Sequence, residues 1–364
     1  MSSVRQLAVE SYFSKVNFTK ELRSFYRGKR VLVTGGAGAI GTNLVFMLSE
    51  LVGSKGVVFV LDNLSTNKLA QAIDFPNLPN VLFSKGDISN NIDLKRFFRE
   101  KPDYVFHLAA FFANQNSVDY PESSAKTDII GLIKTLDMSV LSNIKKFIYA
   151  SSGCSIYGSY GKMPLKEDFT SMHLTTPYQI NKMSGEMYTN FYHHHYNLKI
   201  VNCRFFNSFG PGEVPGQYRN VIPNFIYWSM NKIPLPITGS GNETRDFTYV
   251  LDLVQGLLKS CFSEKANGKS FNLAAGKEMK IIEMKKKIDK LLGYENKIIF
   301  KNSRKWDTKK RLLASINLAN KTFGYKPLVN FNEGLKYNID WFKENKNIID
   351  LATDFPPGMS SAIR

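Results

Sequence analysis

The segment that most constrains this 364-residue chain is T-G-G-A-G-A-I-G, from Thr34 to Gly41. It follows the apolar, β-branched run RVLV and opens GTNLVFMLSELVG, whose apolar residues recur at helical spacing. Gly35, Gly38 and Gly41 stand three residues apart. Between a strand and a helix, the first glycine permits a tight turn and the second lets backbone approach a pyrophosphate. The third lets the helix pack against the sheet, and the helix N-terminus favours the phosphate charge. The turn therefore predicts cofactor contacts at Gly35, Gly38, Ala39, Ile40 and Gly41.

A second feature specifies the dinucleotide. The run VVFVLDN ends in Asp62, 27 residues after Gly35. A carboxylate at the end of the second strand accepts hydrogen bonds from the adenosine ribose and repels a 2′-phosphate, so NAD is expected rather than NADP. Asp87, in KGDI, follows the third strand and is placed to contact the adenine.

From Lys29 onward, strand-like runs alternate with helix-like ones. The strands are RVLVTG, VVFVLD, VLFSKGD, YVFHLAA, KFIYASS and KIVNCRFF; the helices between them include NIDLKRFFREK and GLIKTLDMSVLS. This alternation predicts an α/β fold, a Rossmann-type doubly wound parallel sheet. After Phe206 the pattern becomes irregular and rich in Gly and Pro, which suits a smaller C-terminal substrate-binding lobe over the C-terminal ends of the strands. The expected organisation is an N-terminal extension over 1–28, an NAD-binding domain over 29–206 with segments around 245–275 returning to it, a substrate lobe over 207–350, and a tail over 351–364, flexible or an interface arm. Leu7, Tyr12, Phe13, Phe18, Leu22 and Phe25 give the extension an apolar side, expected to be helical and docked on the body or on a second subunit.

Composition excludes several classes. The chain is 43% hydrophobic and 22% charged, with no run of eighteen apolar residues, so no membrane span is expected, and MSSVRQLAVESYFSKVNF lacks the uninterrupted apolar stretch of a secretory signal, so none is expected. Cys154, Cys203 and Cys261 match no zinc spacing and read as reduced thiols of a cytoplasmic protein. The net charge of +17 comes from lysines scattered through helices, without a nucleic-acid motif, so no nucleic-acid partner is expected. The run His193–His195 cannot converge on one metal, because adjacent helical residues diverge, and no metal is expected.

T-P-Y-Q-I-N-K places Tyr178 four residues before Lys182, on one face of a helix. A phenol is a poor base at its ordinary pKa of about 10. An adjacent ammonium, together with a positive nicotinamide ring, favours the phenolate, so Tyr178 is the expected general base and Lys182 its partner. A lone Y-x-x-x-K is expected roughly once by chance in so Tyr- and Lys-rich a chain. Here it follows TGGAGAIG, DNLS, GDI, HLAA and SSGCSIYG and precedes RFFNSFGPG, NVIP, GSGNETRDFTYVLDLV and FNLAAG, all in order.

With these motifs, residues 29–345 resemble the NAD-dependent epimerase/dehydratase family of extended short-chain dehydrogenases/reductases, typified by UDP-glucose 4-epimerase. The resemblance implies NAD contacts also at Asn63, Ile88, Leu108, Ala109 and Ala110. It implies a nucleotide-sugar substrate held by Asn207, Asn220, Val221, Arg245, Arg304 and Asp307, with the arginines on the diphosphate and Asp307 on a ribose hydroxyl. It further implies a homodimer paired through GLIKTLDMSVLSN and YQINKMSGEMYTNFYHHHY.

The chain also departs from the family pattern. The usual Ser or Thr four residues before Tyr157 is Gly153, which leaves Ser155, or Ser152, to bond the substrate hydroxyl. The usual Asn before the helix glycine is Asp128. Cys154 and Ser155 stand where dehydratases carry an Asp-Glu pair, and Ser155 where decarboxylases carry Glu. What remains is oxidation at C4 of a nucleoside-diphosphate hexose, as an epimerase or as a 4-dehydrogenase or reductase; Cys154 as an acid/base group and an NAD-binding protein without turnover are the lesser readings.

Overall fold

The structure, a computed structural model, describes residues 3–66, 74–159, 161–307, 309–353 and 355. Seven strands form the central sheet: β1 (Arg30–Thr34), β2 (Val57–Asp62), β3 (Val81–Lys85), β4 (Tyr104–His107), β5 (Lys146–Ser152), β6 (Ile200–Phe205) and β7 (Lys269–Leu273). Their spatial order is β7-β6-β5-β4-β1-β2-β3 and every pairing is parallel. Val33 sits beside Val60 on one side and Phe106 on the other. The order reverses between β1 and β4, opening the crevice where such sheets bind ligands.

The strands read as near-continuous apolar runs because both faces of the sheet are covered. Side chains alternate between two cores. Val31 and Val33 of β1 pack with α1 (Val4–Val16), α2 (Lys20–Tyr26) and α3 (Ala39–Val52), while Leu32 joins Phe59, Leu94 and Leu136 on the opposite face. The expected helices form at Ala39–Val52, Asn91–Phe98 and Leu132–Leu141, the last continuing a π-helical turn over Lys126–Gly131.

Beyond β6 the chain builds a lobe from short pieces. Leu235–Thr238 pairs in parallel with Ile298–Lys301, and Thr244–Asp246 pairs antiparallel with Glu278–Lys280. The helices Val221–Met230, Ile281–Leu292 and Phe331–Glu344 pack with one another. The segment Lys269–Leu273 returns to the sheet as its edge strand.

The N-terminal extension is two helices docked on the chain's own body. The Tyr12 hydroxyl donates to Asp252 at 2.7 Å, and that of Tyr26 to the Leu258 carbonyl at 2.8 Å. Leu7 is an exception among the expected docking residues. The buried stripe of α1 runs through Arg5, Ala8, Val9, Tyr12 and Val16, and Leu7, off that stripe, is 51% exposed. Of the expected tail, Leu351 and Ala352 close the helix Lys346–Ala352 and Phe355 packs on Trp228; Asp354 and residues 356–364 lie outside the described residues. Among the described residues no helix is long and apolar enough to cross a membrane.

Candidate active site

The glycine turn ends β1 beside β4. Gly35 has a φ of +70°, and a Cβ there would lie 2.5 Å from the Ala109 backbone nitrogen. At Gly41 a Cβ would lie 2.2 Å from the Gly35 carbonyl oxygen, so only glycine lets α3 start this close to the sheet. No side chain caps α3, which leaves its first-turn amides to the phosphates of a dinucleotide. Every residue expected to hold the cofactor, from Gly35 to Lys182, lines one cavity of about 480 Å3.

Asp62 lines this cavity at the end of β2. Its carboxylate accepts from the Ala37 amide at 2.9 Å and from the Leu64 amide at 2.8 Å, so it staples the glycine turn to β2. Burial raises its pKa against the pull of these amides. Asp87 accepts from the Asn63 side-chain amide at 3.0 Å and the Ser89 backbone at 2.7 Å. Burial pushes its pKa up, but those bonds outweigh it and the net shift is downward.

The helix Pro177–Tyr196 carries the Tyr-Lys pair. Thr176 caps it, and the Tyr178 amide donates to Ser117 at 3.0 Å, which pins the first turn. Lys182 donates to the Ala150 carbonyl at 2.9 Å, and its ammonium lies 5.6 Å from the centre of the Tyr178 ring. The expected lowering of the phenol pKa by Lys182 is not seen. Burial, reinforced by Asp128 and Cys154, pushes Tyr178 upward, and only a hydrogen bond with Ser152 opposes it. Burial likewise lowers Lys182, against the neighbouring Asp128. Asp128, the departure noted in the sequence, is itself buried and accepts from the Phe111 amide at 2.9 Å and from Ser124 at 3.0 Å.

The glycine at position 153 has a packing reason. A Cβ there would meet the Phe206 ring, with Cε2 at 2.1 Å, so a serine would have to displace the ring. The hydroxyl beside Tyr178 belongs instead to Ser152, which donates to Ser155 behind it at 2.9 Å. Cys154 donates weakly to the Asn207 side-chain oxygen at 3.4 Å, and burial raises its thiol pKa to about 11, unlike a reactive thiolate. His107 is buried, shares a 3.0 Å hydrogen bond with Thr34 and stacks on Phe147; burial pushes its pKa down to about 3. The ring of His193 bonds the Leu198 carbonyl at 2.8 Å, and His194 and His195 are exposed at the helix end. Among the described residues no cluster could hold a metal ion.

A second cavity, of about 530 Å3, adjoins the first at Phe112, Cys154, Asn207 and Asn220. The residues expected to hold substrate, Asn207, Asn220, Val221, Arg245, Arg304 and Asp307, all line it. Arg245 pairs with Asp307 at 3.0 Å, and Arg304 lies over the Trp306 ring at 5.2 Å.

Several lining residues carried no sequence signal. Glu213 accepts from the Asn220 side chain at 2.8 Å, and burial raises its pKa to about 7 against the pull of Arg219. Trp306 donates to Gln115 at 2.8 Å, closing one wall, and Lys309 reaches the Cys154 carbonyl. Trp306 and Lys309 share one loop, but their partners Gln115 and Cys154 lie 191 and 155 residues away, so no motif spacing connects these contacts.

The model of the NAD dependent epimerase/dehydratase family matches residues 31–274. UDP-glucose 4-epimerase of Mycolicibacterium smegmatis is 30% identical over 315 residues, covering 86% of this chain and 98% of that protein. Among solved structures, an epimerase from Methanothermobacter thermautotrophicus is 47% identical with a TM-score of 0.89, covering 94% of this chain and 99% of that one. A Thermotoga maritima UDP-glucose 4-epimerase solved with UDP-glucose is 34% identical with a TM-score of 0.80, covering 87% and 99%. A Bordetella bronchiseptica enzyme solved with NAD+ is 31% identical with a TM-score of 0.77, covering 90% and 96%. Dehydratase and decarboxylase relatives also match, at 27–29% identity. With the family model spanning more than half its length, this chain belongs to the NAD-dependent epimerase/dehydratase family of extended short-chain dehydrogenases/reductases, and NAD is its cofactor.

Proposed function

We propose that the protein is a nucleotide-sugar 4-epimerase. The observation that carries this is that Tyr178, Lys182 and Ser152 line the same cavity as the glycine turn, and that this cavity adjoins the one lined by Arg245 and Arg304 at Cys154 and Asn207. Bound NAD supplies a hydride acceptor and donor at C4 of the sugar. Tyr178 takes and returns the proton of the C4 hydroxyl, and Ser152, already bonded to the phenol, orients that hydroxyl. Ser155 acts behind Ser152. Lys182 fixes the ribose of the cofactor and opposes the charge of the phenolate. Arg245 and Arg304 hold the diphosphate, Asn207, Asn220 and Val221 the nucleotide sugar, and Asp307 a ribose hydroxyl. Elimination of water is disfavoured, because Cys154 and Ser155 offer no carboxyl pair to protonate a leaving hydroxyl.

A panel of nucleotide sugars incubated with the protein and NAD, with products resolved by NMR, tests the reading. The expected product is the C4 epimer, at equilibrium and without net NADH. A product lighter by one water, or stoichiometric NADH, overturns it in favour of a dehydratase or a dehydrogenase. Tyr178→Phe is expected to bind NAD and substrate but turn over at least about a hundredfold more slowly, since general acid–base catalysis is worth about 10²–10⁴-fold. Ser152→Ala is expected to lose more activity than Ser155→Ala.

A homodimer belongs to the same proposal. Ile180, Met187, Tyr188 and Phe191 are exposed along one stripe of Pro177–Tyr196, and Leu141, exposed, ends the neighbouring helix. Two copies of this helix pair would bury the stripe in a four-helix bundle.

A further inference from the structure

Lys309 has no role in the chemistry above, yet it stands inside the substrate cavity. Its loop is tied down, because Arg245 donates to the Lys309 carbonyl at 3.1 Å. The side chain turns inward, and its ammonium donates to the Cys154 carbonyl, at the wall the two cavities share. Cys154 is two residues from Ser152, which bonds the Tyr178 phenol. Lys309 thus sits where the substrate cavity meets the cofactor cavity that Tyr178 and Ser152 line.

Its charge is uncompensated. Arg245 has Asp307 as an ion-pair partner, whereas no carboxylate oxygen lies within 4.0 Å of the Lys309 ammonium among the described residues. A half-buried lysine held this way is under electrostatic strain: burial and the neighbouring Arg245 lower its pKa to about 8, against Cys154 and Asp307. A negative group on the ligand relieves that strain where a neutral one does not. In the proposed function the guanidinium groups of Arg245 and Arg304 already serve the diphosphate, so the anion assigned to Lys309 belongs to the sugar.

We propose that Lys309 selects a hexuronate: the sugar of the nucleotide-sugar substrate carries a C6 carboxylate that pairs with the Lys309 ammonium. A carboxylate at C6 needs no added substituent, and a single ammonium backed by one carbonyl matches one negative charge. The proposal rests on the reading of the site as a nucleotide-sugar enzyme and names the sugar class within it.

The test pairs a nucleotide-linked hexose with the uronate of the same sugar and nucleotide, using the whole chain with NAD. The wild-type protein is expected to prefer the uronate at least tenfold in kcat/KM, chiefly through KM. Lys309→Met is expected to lower kcat/KM for the uronate at least tenfold more than for the hexose, and Lys309→Arg to retain the preference. Wild-type preference for the hexose, or an equal loss on both sugars in Lys309→Met, overturns the proposal and leaves the epimerase reading standing. If neither sugar turns over, the epimerase reading fails, and titration calorimetry of the same two ligands still decides Lys309: equal affinities, or an equal loss in the variant, overturn it.

Discussion

Phe206 occupies the space that a side chain at position 153 would need, and this one contact moves the hydroxyl beside Tyr178 to Ser152. The glycine was visible in the sequence, but the ring that requires it comes from another strand end. His107 shows the same limit. It ends β4, and what fixes its role comes from a neighbouring strand: its ring stacks on Phe147 and burial holds it neutral. Its pKa is lowered in the folded protein to about 3, below the ordinary value of about 6.5. Below pH 6.5 the unfolded chain therefore binds a proton that the folded one refuses, and this residue's contribution to stability is complete above that pH and lost as pH falls toward 3. We expect His107 to remove about 2 kcal/mol of stability between pH 7 and pH 5. Urea unfolding of wild type and His107→Gln at both pH values checks this; an equal change in the two proteins would refute it.

On the helix Pro177–Tyr196, the Tyr-Lys pair was legible from its four-residue spacing in T-P-Y-Q-I-N-K. What holds its orientation was not. Glu186, on this helix, receives a forked pair of hydrogen bonds from Arg204 of β6, at 3.0 and 2.8 Å. Arg204 also donates to the Tyr157 hydroxyl at 2.9 Å, which donates in turn to Asn272 of β7 at 2.7 Å. Both charges are buried, so removing one partner strands the other. Glu186→Ala is expected to cost about 3–5 kcal/mol in chemical unfolding, typical of a broken buried pair. Glu186→Ala with Arg204→Met should recover part of that loss. A cost under 1 kcal/mol for the single variant would mean that the pair does not anchor the helix.

For the whole molecule, the proposed dimer follows from the exposed stripe on that same helix. Light scattering at micromolar concentration should report twice the monomer mass for the wild-type chain. Met187→Lys with Phe191→Glu, which puts charges on the stripe, should shift it to monomer with NAD binding intact. Wild-type protein found only as a monomer rejects the assembly. The N-terminal helices α1 and α2 do not take part in that stripe; they pack on the other side of the sheet, against α3 and Val250–Phe262.

The sequence by itself determined the order of strands and helices, the glycine turn, the carboxylate at Asp62 and the spacing of Tyr178 and Lys182. These are local: each depends on residues within one turn, or one strand and helix, where periodicity and glycine chemistry act directly. Only the tertiary structure decided that Phe206 excludes a side chain at Gly153, that Arg204 pairs with Glu186 on the helix of Tyr178 and Lys182, and that Lys309 faces Cys154. Each joins segments 18 to 155 residues apart, and their contact depends on how the layers pack. Burial also set the direction of the pKa shift at the phenol: with Asp128 and Cys154 it moved Tyr178 upward, where the spacing to Lys182 alone predicted the reverse.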